Sequence, residues 1–152
     1  MKGTTDITAL IVEELYCEAN VLADEVRAAF APAASELMPY DLPLRRALEC
    51  EGLKTTTQIM HVLAWLLNQR AFLSGQMSDV QWERHTILPP DRPPVAEMME
   101  MLDLSTRSLV ADTQQLHARV SRLDREFRAR RLPPSRTIGS IHRRLDRHFA
   151  QR

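Results

Sequence analysis

The sequence predicts an all-α fold built on three long helices. Three observations predict it. Apolar residues recur at steps of three, four and seven along three separate stretches, which is the period of a helix with one buried face. Ala, Leu, Arg, Glu and Met dominate and favour helix, while there are only four Gly. The nine prolines gather around the gaps between the helical patterns. No alternating strand pattern and no internal repeat is visible. At 152 residues the chain is long enough for one domain with a real core. Its 44% hydrophobic and 26% charged residues place it with ordinary globular proteins.

The first helix is expected over residues 6–30, with Thr5 or Asp6 as its cap. Its stripe is Ile7, Leu10, Ile11, Leu15, Leu22, Val26 and Phe30. Pro32 ends it or kinks it into residues 33–38. The second helix is expected over residues 42–74. Asp41 is its N-cap, Pro43 lies in its first turn, and Gly75 is its stop. One stripe runs Leu44, Leu48, Thr55, Ile59, Val62, Leu66 and Leu73; a second runs Leu53, Met60, Ala64, Leu67 and Ala71. Between Ile59 and Leu73 the helix is apolar on nearly every side, so it must be covered all round. That argues for packing on its own chain and on a second surface. Gly52 reads equally as a point of close approach or as a tolerated blemish costing about 1 kcal/mol.

Ser78 with Gln81 resembles a capping box, opening a short helical turn over 79–85 that carries Trp82. Residues 88–94, LPPDRPP, form a stiff connector. The third helix is expected over residues 94–131, with the seam Val95, Met98, Leu102, Ser105, Leu109, Leu116, Val120, Leu123 and Phe127. Its early Glu97 and Glu100 and its late Arg128, Arg130 and Arg131 suit the helix dipole. After Pro133 and Pro134, Ile138, Ile141, Leu145 and Phe149 make a weak stripe for a short basic C-terminal helix or tail. The domain reading is therefore residues 6–132 for the helical body and 133–152 for a basic tail.

No catalytic constellation stands out. The five histidines lack the spacing that sets two ligands on one helical face, and Gly is too sparse for a phosphate loop. An enzyme, a metal site and a cofactor are not expected. His61 reads as a partly buried packing residue. Cys17 and Cys50 read as buried reduced thiols in a cytoplasmic protein. The strongest apolar run is too short for a membrane span, which needs roughly 20 apolar residues, so no membrane partner is expected. Thr55, Thr56 and Thr57 have two readings: hydroxyls bonded back to helical carbonyls in a tight packing site, or a polar notch that a partner reads. Met98 fits the core stripe, while Met99 and Met101 point elsewhere and are interface candidates. Formal charge is balanced overall, but eleven arginines face three carboxylates after residue 118. That asymmetry suggests an acidic partner or nucleic acid for the basic end, with Arg143, Arg144 and Arg147 as the contacts.

The segment LECEGLKTTTQIMHVLAWLLNQRAFLSGQMS, residues 48–78, resembles the hallmark stretch of the alphaproteobacterial RcdA family, regulators of CtrA degradation. That family shows E-x-x-R/K-x-T-T-x-x-M, then S/A-W-L-L-x-Q-R-A, then G-E/Q-M. The matching residues are Glu51, Lys54, Thr56, Thr57, Met60, Ala64, Trp65, Leu66, Leu67, Gln69, Arg70, Ala71, Gly75, Gln76 and Met77. The resemblance implies an antiparallel three-helix bundle that forms a homodimer. It also implies a non-enzymatic adaptor in regulated proteolysis during the cell cycle. The implied partners are the ClpXP protease, a response-regulator adaptor and transcription-factor cargo. The expected dimer or partner interface comprises Thr56, Met60, Trp65, Leu66, Gln69, Arg70 and Phe72. The alternative is a module that binds nucleic acid or an acidic partner through the basic C-terminal segment.

Overall fold

A computed structural model describes residues 2–30 and 42–131, with side chains from Ile7 onward. Their regular structure is α-helix throughout, in five helices and with no strand among them. They are α1 (Lys2–Phe30), α2 (Leu42–Leu73), α3 (Asp79–His85), α4 (Ala96–Met101) and α5 (Leu104–Arg131). The chain divides into two compact units, residues 1–121 and 122–152. Of the second unit the described part is the last stretch of α5, where Asp124 accepts both contacts from the Arg128 Nε, at 3.0 and 2.9 Å.

Helix α1 begins at Lys2, upstream of the expected caps Thr5 and Asp6. It buries Val12, Leu15, Ala19, Leu22 and Val26, a strict alternation of three- and four-residue steps. Such a seam packs along a neighbouring helix at a shallow angle. Ile7, Leu10 and Ile11, expected in that stripe, are exposed instead, because the seam runs through Val12 and they lie off its phase. The expected roles of Pro32 and Asp41 lie outside the described residues.

Helix α2 is 32 residues long, about 48 Å at 1.5 Å per residue. Pro43 sits in its first turn, where a missing N–H costs nothing. It ends as the sequence predicts. Gly75 takes φ of 76°, its N–H donates to the Phe72 carbonyl, and the Gln76 N–H reaches back to Ala71. These are the paired bonds of a Schellman stop. The first stripe is interior, with Leu48, Thr55, Ile59, Val62 and Leu66 buried. Gly52 is a point of close approach: a Cβ there would lie 2.7 Å from Phe30 Cδ1 and 2.9 Å from its Cγ. At the other end of the pair, Arg70 Nε meets Glu13 Oε2 at 2.7 Å. Phe30 beside Gly52 and Glu13 beside Arg70 make α1 and α2 antiparallel.

The expected third helix is broken. Leu102 turns extended, with φ −81° and ψ 148°, ending α4. Asp103 then opens α5: its carboxylate accepts from the Thr106 N–H at 2.8 Å, the Thr106 hydroxyl at 2.9 Å and the Ser105 hydroxyl at 2.6 Å. Those three donors hold the Asp103 carboxyl below its ordinary 3.8, at about 2. The break lets Leu102 plug a cluster with Ala47 and Leu48, packed by Phe30, Leu44, Met98 and Met99. Met99 is thus a packing residue rather than an interface one. It also shifts the phase of α5, whose buried face is Thr106, Val110, Thr113, Leu116, His117 and Val120. Of the expected seam, Ser105 is exposed and Leu109 only half-buried.

Direction is the larger departure. Leu102 lies by Ala47 and Leu48 near the start of α2, while His117 lines a cleft with Lys54, Gln58 and His61 further along it. Arg119 reaches Glu18 of α1 at 2.7 Å. Through residue 121, therefore, α5 advances in the same direction as α2 and against α1. An antiparallel relation holds for α1 with each of the others, but not between α2 and α5. The physical reason is the segment between Gly75 and Val95, which carries the chain back along α2 before α5 begins.

Two stability outcomes follow from these local arrangements. Gly52→Ala should lower stability, although Ala outranks Gly by about 1 kcal/mol inside a helix; in a Phe30→Ala background it should raise stability by up to that amount, as read by urea unfolding. Asp103→Ala should cost about 1 kcal/mol at neutral pH. Because the folded Asp103 titrates below its unfolded value, its contribution is complete above about pH 4 and is lost as pH falls through about 2. Asp103→Asn keeps a cap but should lack this acid-dependent loss.

Candidate functional site: polar ties on α2 and the face left open

The inner side of α2 carries polar groups as well as apolar ones, and four of them have partners on the returning segment. Gln69 is fully buried, and its Oε1 accepts the Trp82 indole N–H at 2.7 Å. Asn68 donates to the His85 carbonyl at 3.0 Å. Gln58 donates to Asp91 at 2.5 Å. Buried Glu51 accepts both from Lys54 Nζ at 3.0 Å and from the Val95 N–H at 3.2 Å. The pairs descend α2 as they ascend the segment, so residues 82–95 lie antiparallel to the helix. From α5, the His117 Nε2 meets the Pro89 carbonyl at 2.9 Å, which makes it the N–H donor. Pro89, Pro90, Pro93 and Pro94 lack N–H donors, so this strap has fewer backbone groups to satisfy.

The capping box opens α3 as the sequence predicts. The Ser78 hydroxyl accepts from the Gln81 N–H, and the Gln81 side chain accepts from the Ser78 N–H. It delivers Trp82 inward, 1% exposed, where Phe72 meets it at 5.9 Å between ring centroids with the planes tilted by 52°. The Gln69 Nε2 has no hydrogen-bond acceptor among the described residues.

The residues expected at an interface separate into two sets. Trp65, Leu66 and Gln69 are at most 1% exposed inside a single chain. The second surface expected for this helix is not needed to cover Trp65. Thr56 and Met60 face outward, and Phe72 is half-buried against Trp82. Arg70 is half-buried, ion-paired to Glu13 and stacked over the Tyr16 ring at 4.3 Å from its centroid. The threonine run also divides. Thr55 and Thr57 donate to the Glu51 and Leu53 carbonyls, both at 2.7 Å, as the packing reading of that run has it. Cys17 is exposed and Cys50 half-buried, so Cys17 is not the interior thiol the sequence suggests. Arg143, Arg144 and Arg147 lie outside the described residues.

What remains uncovered on α2 is its second stripe. Leu53, Met60 and Leu67 are 71%, 56% and 47% exposed at successive seven-residue steps, with Ala64 between them. From Thr55 to Gln69 the helix has no Asp, Glu, Lys or Arg. A groove of about 640 Å³ continues this face towards α1, lined by Ala9, Val12, Glu13, Leu67, Arg70 and Ala71 among others. No group of three or more His, Cys, Asp or Glu is placed to hold a metal among the described residues, and no helix there is long and apolar enough to cross a membrane.

A family model described as a protein of unknown function (DUF1465) matches residues 3–149. No curated protein matches the chain, and no solved structure does.

The Gln69–Trp82 tie yields a double-mutant test. Trp82→Phe removes the indole donor and leaves buried Gln69 unpaired, so it should cost about 1–3 kcal/mol. Adding Gln69→Leu should recover much of that loss, since the orphaned amide oxygen then disappears together with the amide nitrogen. Additive losses in denaturant melts would show that the tie contributes nothing.

Proposed function

We propose that this chain, which belongs to the DUF1465 family of proteins of unknown function, is a non-enzymatic adaptor or scaffold that works as a homodimer. The observation that carries the reading is the outward heptad Leu53, Met60 and Leu67 on a helix whose opposite side is already sealed. A stripe of one period and no central charge matches a second copy of itself under two-fold symmetry. Its centre is free of charged side chains, as interface cores tend to be. Burying it would contribute at roughly 25 cal/mol per Å² of apolar area, less the cost of association. In this reading α1, α2 and α5 are the three rods of a bundle, and α2 is the rod that meets the partner.

The adaptor role rests on the likeness of residues 48–78 to the RcdA hallmark. It assigns the protein to delivery of cell-cycle regulators to the ClpXP protease. Adding the protein to reconstituted ClpXP, a response-regulator adaptor and a transcription-factor substrate should accelerate loss of the substrate. An unchanged rate with every substrate tried would remove the role. The arginine-rich end favours a second reading, binding of nucleic acid. Phosphate contacts by Arg are steeply salt-dependent, so that reading requires a gel shift at low salt that vanishes as salt is raised.

The dimer has a sharper test. Met60→Lys with Leu67→Lys should leave the circular dichroism unchanged and convert a dimer to a monomer in sedimentation equilibrium. Trp65→Asp should instead unfold the chain, because it buries an unpaired charge.

A further inference from the structure

A small cleft lies where the middle of α2, the proline strap and α5 meet. It encloses about 70 Å³ and is lined by Lys54, Thr57, Gln58, His61, Pro89, Pro90, Arg92 and His117. A cleft this small suits a compact polyatomic ion or headgroup better than a whole nucleoside or sugar. The charge of the wall is one-sided: Lys54 and Arg92 are cations and no acidic residue is in the lining. Lys54 Nζ spends one N–H on Glu51 and Gln58 Nε2 spends one on Asp91, so each retains others. Arg92 and His61 make no hydrogen bond or ion pair among the described residues. The Thr57 hydroxyl hydrogen is committed to the Leu53 carbonyl. The two prolines contribute apolar rings, and no carboxylate lines the cleft.

We propose that this cleft is a binding site for a phosphoryl group. A ligand that offers only acceptors complements a wall that offers mainly donors. The N–H groups of Arg92, Lys54, Gln58 and His61 outnumber the roughly four lone-pair sites of a carboxylate, and favour a group with more oxygens. Arg is suited to hold such a group through two parallel bonds. Two of the donors are held in place beforehand, Lys54 by Glu51 and Gln58 by Asp91, and His117 holds the strap at Pro89, while Arg92 and His61 are left uncommitted for the ligand. Glu51 and Asp91 also offset the charges of Lys54 and Arg92, so recognition rests on directed N–H groups rather than on net positive charge. The occupant is the head of free phosphate or of a phosphomonoester. The site is independent of the homodimer reading, since Met60 and Leu67 do not line it.

The test is titration of the full chain with inorganic phosphate, O-phosphoserine and acetate at fixed ionic strength, followed by amide chemical shifts. Saturable shifts at residues 54–61 and 91–92 are expected with phosphate or phosphoserine, and the tighter of the two identifies the source. Arg92→Gln, an exposed position that should not disturb folding, should weaken binding by roughly tenfold or more. His61→Gln should weaken it as well, and Arg107→Gln should not. Shifts that never saturate, spread over surface arginines and persist in Arg92→Gln would overturn the site. So would acetate binding as tightly as phosphate.

Discussion

The structure depends on a set of hydrogen bonds from one helix to one returning segment. Gln69, Asn68, Gln58 and Glu51 sit along α2 and hold Trp82, His85, Asp91 and Val95 in reverse order. Buried polar groups are costly unless paired, so Glu51, Gln58 and Gln69 are tolerable in the interior only with their partners in place. The ties therefore specify where the segment lies as well as that it is covered. Because the segment runs the length of α2 backwards, the chain re-enters at the start of that helix. Leu102 can then plug the Ala47 and Leu48 cluster, and α5 sets off in the same direction as α2.

The same ties explain how a helix apolar on nearly every side is accommodated in a small chain. The side bearing Trp65 and Leu66 is closed within the chain, and Trp82, delivered by the capping box, is fully interior there. The stripe of Leu53, Met60 and Leu67 is left uncovered. An argument that the helix needs a second surface survives in reduced form: it concerns three residues at heptad spacing and not the tryptophan. The strap also makes the phosphoryl cleft, since Pro89, Pro90 and Arg92 form one wall and α2 the other.

Much of this was legible from residue types. The Gly75 stop, the Ser78 and Gln81 box and the short helix that carries Trp82 follow from local chemistry, because cap and turn signals act within four residues, and the first stripe of α2 follows from helical period. The break at Leu102 was legible in principle: Asp103 followed by Ser105 and Thr106 is a cap signal, but the continuous apolar seam around it outweighed it. The phase of α1 was not, since Ile7, Leu10 and Ile11 fit a stripe as well as Val12 does until the neighbour is known. Direction was least legible. Nothing in a helical period tells whether a connector turns at once or doubles back. The polar residues of α2 held that information, yet a buried Gln or Glu shows its meaning only when the partner it faces is found.

The most direct measurement is therefore of direction. Spin labels can be placed at exposed positions, in a variant lacking Cys17 and Cys50 and diluted with unlabelled protein, to measure the distances of Arg107 from Arg45 and from Leu67. The two positions on α2 are separated by about 33 Å at 1.5 Å per residue, so the two distances must differ clearly. A returning strap puts Arg107 nearer Arg45 than Leu67. A short distance to Leu67 with a long one to Arg45 is what an immediate turn produces, and it would contradict the account.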